Sequence, residues 1–65
     1  MNINELKVGD KVRFRYNENI NEGYIYAFIE NYVCISQNRE GENQFKCQNW
    51  VINCEDVTDV VLNLV

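Results

Sequence analysis

The sequence predicts an all-β domain of five strands wound into a small barrel, and three observations carry that expectation. Apolar and polar residues alternate with period two, most clearly over Lys11–Tyr16. Gly and Asn, the residues that tolerate turn conformations, interrupt the alternation at short intervals. β-branched and aromatic residues dominate the strands, and no stretch spaces apolar residues three and four apart over two turns, so no α-helix is expected. The one exception is Cys54–Asp59, where Glu55 and Asp56 suit a single 3-10 turn before the last strand.

The chain of 65 residues is read as one domain, 1–65. A domain of this size buries only about 60% of the surface its unfolded chain exposes, so the core is thin and leaves little room for an enclosed active site. No apolar run approaches the roughly 18 residues of a membrane span, and the first residues lack the apolar stretch of a secretory signal. The 3 cysteines are odd in number and widely spaced, which fits a reducing compartment rather than a disulfide framework. A cytoplasmic location is the expectation. The 11 asparagines among many Ile and Glu residues suggest the codon bias of an AT-rich genome.

The elements follow in order. A tight turn over Leu6–Asp10, with Gly9 at positive φ, leads into a first strand at Lys11–Tyr16. Asn17–Glu22 reads as a polar loop before a second strand at Gly23–Ile29. Glu30-Asn31 is a short hairpin turn, in which Asn31 suits the left-handed region. A third strand at Tyr32–Gln37, a loop at Asn38–Glu42, a fourth strand at Asn43–Asn53 and a fifth at Val60–Leu64 complete the chain.

Strand parity then assigns faces. Val12 and Phe14 point inward, so Arg13 and Arg15 point out. Val33 and Ile35 are inward, which leaves Tyr32, Cys34 and Ser36 outside. Pairing Ile35 with Phe45 and Val33 with Cys47 closes the third hairpin with all four on one face. In the second strand, alternation places Ile25, Ala27 and Ile29 inward, whereas a two-residue turn places Phe28 and Tyr26 there. A bulge near Ala27 reconciles the two, turning Ile25 and Phe28 both inward and bending the strand as a small barrel requires. A second irregularity at Gln48-Asn49 turns Trp50 and Ile52 inward, and Val60, Leu62 and Leu64 finish the core.

The stretches Leu6-Lys7-Val8-Gly9-Asp10-Lys11-Val12-Arg13-Phe14, Gly23-Tyr24-Ile25-Tyr26-Ala27-Phe28, Tyr32-Val33-Cys34-Ile35 and Glu55-Asp56-Val57 resemble small five-stranded SH3-like barrels of the KOW and Tudor-like kind. Short proteins encoded by phages and other mobile elements are similar too. The resemblance implies a module that binds peptides, proteins or nucleic acids and is seldom an enzyme. Unlike the basic KOW type, this chain carries a net charge of −4.

That charge is uneven. Residues 1–16 hold Lys7, Lys11, Arg13 and Arg15 against Glu5 and Asp10, a balance of +2. Residues 17–65 hold Arg39 and Lys46 against eight acids, a balance of −6. An acidic domain is a poor general nucleic-acid binder, because such affinity comes mostly from neutralising phosphates. It suits protein binding or self-association better, or imitation of nucleic acid by the acidic loops Glu18–Glu22 and Glu40–Glu42 in an inhibitor of a host protein.

Catalytic and metal chemistry find no support. There is no His to act as a base, and neither Ser36 nor Thr58 sits in a nucleophile motif. Cys34, Cys47 and Cys54 lack the short spacing of zinc ligands. No catalytic residue, metal or cofactor is expected. The candidate contact residues are Arg13, Arg15, Tyr24 and Tyr26 on the outward face of the first two strands, with Tyr32 and Trp50 as a second pair. Guanidinium beside phenol can stack on a base, grip a phosphate or clamp an acidic peptide, or simply stabilise the sheet as cross-strand pairs. Tyr and Trp are favoured interface anchors, although Trp50 equally suits the role of core plug.

Overall fold

Period-two alternation at the start of the chain folds as a strand, and the rest of the sheet is laid down around it. The computed structural model describes residues 3–37 and 49–62. After a 3-10 turn at Ile3–Glu5 come β1 (Lys11–Tyr16), β2 (Asn19–Ile29), β3 (Tyr32–Ser36) and β4 (Asn49–Asn53). A second 3-10 turn (Cys54–Asp56) leads into β5 (Val57–Leu62). The protein is all-β; among the described residues five antiparallel strands form one sheet ordered β4-β3-β2-β1-β5.

The entry into β1 is a turn held from both sides. Asp10 N–H donates to the Lys7 carbonyl at 3.1 Å, and Lys7 N–H donates to Asp10 Oδ2 at 3.0 Å. Gly9 sits at φ 100°, a conformation that a side chain would strain. Asp10 is buried by this arrangement, and its carbonyl accepts from Ile25 N–H at 3.0 Å, tying the turn to β2.

Side chains on the concave face make the core: Leu6, Val12, Phe14, Ile25, Val33, Ile35, Trp50, Ile52, Cys54 and Val57, with Phe28 and Val60 packed against them. Phe14 on β1 and Trp50 on β4 are three strands apart, about 14 Å in a flat sheet. Their rings lie 4.9 Å apart, edge to face at 65°. The sheet therefore curls until its first and fourth strands meet across the core. Bulges make the curl. In β2 the register shifts between Ile25 and Ala27, so Tyr26 is the extra residue, and Ile25 faces Ile35 while Phe28 faces Val33. This is the bulge that alternation requires near Ala27. Two shifts in β5 leave Thr58 and Val61 unpaired in register and turn both Val57 and Val60 inward.

The 3-10 turn before the last strand is capped by Asn53, whose side chain accepts from Glu55 N–H at 3.0 Å. Its first amide, Cys54 N–H, donates to the Asn31 carbonyl at 3.0 Å.

Several expectations are corrected. The polar stretch Asn17–Glu22 is not a loop. Asn17 and Glu18 form a two-residue hairpin turn, both at positive φ, and β2 begins at Asn19. The polar side chains misled because this hairpin end stands in solvent, where strand pairing needs no apolar face. At the next hairpin Glu30, not Asn31, takes the positive φ, and Asn31 instead presents its carbonyl to Cys54.

β3 pairs with residues 49–53, Ile35 facing Trp50 and Val33 facing Ile52, rather than with Phe45 and Cys47. Trp50 and Ile52 carry more apolar surface than Phe45 and Cys47, so seating them opposite Ile35 and Val33 buries more of it there. Cys34 and Ser36, expected outside, are both buried. β5 starts at Val57, earlier than expected, because the 3-10 turn ends sooner. The expected contributions of Phe45, Cys47 and Leu64, the Leu62 side chain, and Glu40 and Glu42 lie outside the described residues.

Candidate functional site

β1 projects Lys11, Arg13 and Arg15 from the convex face, as parity demands, and the tight hairpin fixes what they meet. Arg13 faces Glu22 on β2 and Asp59 on β5. Its guanidinium binds both, Nε to Glu22 at 3.2 Å and Nη1 to Asp59 at 3.0 Å. Lys11 Nζ lies 3.5 Å from the other Glu22 oxygen and 5.7 Å above the Tyr24 ring. Two cations thus meet two carboxylates, and the row is close to neutral. These groups are substantially exposed, so each pair contributes about 0.2–1 kcal/mol. Thr58 Oγ1 donates to Asp59 Oδ1 at 2.9 Å, fixing that carboxylate.

This register corrects the expected Arg–Tyr cluster. Arg15 faces Ile20, Arg13 faces Glu22, and Tyr24 faces Lys11. Tyr26 lies past the end of β1, at the bulge of β2. The four side chains are spread along two strands, because the two-residue turn advances β2 relative to the loop expected there. Arg15 is exposed and makes no ion pair among the described residues.

Tyr26 is half-buried over the convex side of β3. Burial pushes its phenol above the ordinary range, and the neighbouring Cys34 thiol adds to the rise. Burial likewise raises the Cys34 thiol. A protonated, covered thiol is a poor nucleophile.

The second convex region spans β2, β3 and β4. Ile29 pairs across strands with Tyr32, Tyr32 with Asn53, and Cys34 with Val51. Ile29, Tyr32 and Val51 are 56%, 45% and 58% exposed, and together they form an apolar patch with buried Cys34 beneath it. Of the expected second pair, Tyr32 therefore stands at the surface while Trp50 does not. Trp50 is 7% exposed, packed on Phe14, and its indole N–H has no hydrogen-bond partner among the described residues. Strand parity explains the split, since β4 turns Trp50 and Ile52 inward and Val51 outward. The sequence reading missed Ile29 and Val51. The signal for Ile29 was present: a bulge near Ala27 that turns Phe28 inward also turns Ile29 outward.

Among the described residues no group of three or more His, Cys, Asp or Glu is placed to hold a metal ion, and no helix is long and apolar enough to cross a membrane. What the surface offers is an apolar patch beside an edge strand, and a charge-balanced row on the opposite half of the sheet.

One family model, described as a domain of unknown function (DUF7205), matches residues 1–61. No curated protein and no solved structure matches the chain.

Proposed function

The chain belongs to the DUF7205 family, a domain of unknown function, and from that premise we propose that it is a non-enzymatic module that binds a protein partner. The contact face is the convex side of β2, β3 and β4. The observation that carries this reading is the exposure of Ile29, Tyr32 and Val51 on adjacent strands. Adjacent exposed apolar groups on so small a domain suit a surface that is covered in use. The net charge of −4 favours a protein over a phosphate backbone as partner. Inhibition of a host protein by a phage-encoded chain is one form this activity takes, in keeping with the resemblance to small phage proteins.

Nucleic-acid or nucleotide binding through Arg13, Arg15, Tyr24 and Tyr26 has less support, because Arg13 is already engaged by Glu22 and Asp59. Photo-crosslinking separates the two. A benzoylphenylalanine placed at Tyr32 is expected to crosslink a protein in lysate of the native host, and the same group at Arg15 is not. Crosslinks to oligonucleotide or protein from position 15 alone contradict the reading.

A further inference from the structure

The two edges of the sheet are built differently. β5 is broken by two register shifts, at Thr58 and Val61, and carries Asp59 in an ion pair. Bulges and charge are what sheets use to blunt an edge against strange strands. β4 has neither. Its five residues, Asn49–Asn53, pair with β3 in unbroken register, and they include no charge and no proline.

The direction of the backbone groups that it turns away from β3 follows from one hydrogen bond. Cys54 N–H donates to the Asn31 carbonyl, and these two residues continue the register in which Tyr32 faces Asn53. In an antiparallel ladder, directly opposed residues alternate between exchanging hydrogen bonds and not doing so. The bonded pairs are therefore Val33 with Ile52 and Ile35 with Trp50. Val51 lies between them, so its N–H and carbonyl point away from β3, toward the side of β4 on which no strand lies among the described residues. Its side chain stands on the convex face beside Tyr32.

We infer that this edge pairs, antiparallel, with the same edge of a second copy of this chain, about a two-fold axis through Val51. This rests on the reading above that the β2–β3–β4 face binds protein, and it names the partner. Three features favour a second copy. The outward-pointing pair falls at the middle residue of Asn49–Asn53, so a two-fold axis sets Val51 against Val51. In that register each Val51 N–H meets the other Val51 carbonyl, a bonded pair that the edge's own phase supplies. Asn49–Asn53 carries no charge on a chain of net charge −4, so the strand itself adds no like-charge repulsion between two copies. The convex patch of Ile29, Tyr32 and Val51 then runs continuously from one copy into the other.

Sedimentation velocity on the full chain, from about 1 μM to about 1 mM, tests this with two variants. The wild-type chain is expected to shift from monomer to dimer over that range. Val51→Lys, at an exposed position, is expected to stay folded by circular dichroism and to weaken dimerisation at least tenfold. Val61→Lys on the β5 edge is expected to dimerise as the wild type does. Should Val51→Lys fail to fold, amide exchange of Val51 in the wild type replaces it, and slowing with concentration is expected. A wild-type monomer throughout, a Val51→Lys dimer of unchanged affinity, or concentration-independent exchange at Val51 overturns the inference. A wild-type monomer that still crosslinks another protein from Tyr32 would overturn the dimer and leave the binding face intact. A dimer lost in Val61→Lys but kept in Val51→Lys would move the interface to β5 and overturn it as well.

Discussion

A methyl group added at Gly23 would lie 2.4 Å from Ile35 Cγ2 and 3.0 Å from the Ser36 carbonyl oxygen, so β2 can pass β3 only without a side chain there. Gly23→Ala is expected to cost about 1–3 kcal/mol in urea unfolding, the usual penalty of overpacking. The opposite sign is expected at Glu18, which holds φ 67° in the hairpin turn. Relief of left-handed strain outweighs the added entropy of glycine, so Glu18→Gly should gain about 0.5–1 kcal/mol. Neither effect is visible in the sequence. Gly23 reads as the end of a loop, because its neighbour Ile35 is brought to it only by the sheet, and Asn17-Glu18 lacks the Asn-Gly signature of a tight hairpin.

Cys34 and Tyr26 tie stability to pH. Both groups are acids that folding holds above their ordinary ranges, so above the unfolded values the unfolded chain binds fewer protons than the folded one. Their contribution is full below about pH 8.5 and is lost as the pH rises past the ordinary thiol and phenol values of about 8.5 and 10. Urea midpoints measured across that window should fall for the wild type, and fall less steeply for Cys34→Ala.

At the scale of the element, β4 and its cap decide how the chain closes. Asn53 ends β4 and caps the following 3-10 turn through Glu55 N–H, so Asn53→Ala should cost about 1 kcal/mol by thermal unfolding. The position of β4 was only partly legible. Phe45 with Cys47, and Trp50 with Ile52, are apolar pairs of the same spacing, and either fits opposite Ile35 and Val33. Alternation cannot choose between them; the bulk of Trp50 and Ile52 does. In β2 the sequence was more informative. The conflict between alternation and a two-residue turn had one economical solution, a bulge, and Tyr26 is that bulge.

For the whole molecule, the all-β class, the inward pair Val12 and Phe14 and the 3-10 turn before β5 were legible, because each rests on local pattern. The contact face was less so. Arg13 and Arg15 are outward, but which residues they meet depends on register, and a two-residue hairpin set Glu22 and Ile20 opposite them rather than tyrosines. Arg13→Gln should change stability by about 1 kcal/mol or less, with an effect that shrinks as salt is raised. An apolar, exposed patch lies on the other half of the sheet, at Ile29, Tyr32 and Val51, two of them placed by bulge and parity rather than by any motif.

Amide hydrogen exchange along β4, followed against protein concentration, tests the account at its centre. Trp50 and Ile52 should be protected at every concentration, whereas Val51 should exchange rapidly when dilute and slowly when concentrated. Protection of Val51 in the dilute monomer, or rapid exchange at Trp50 and Ile52, would contradict both the register of β4 and the open edge built on it.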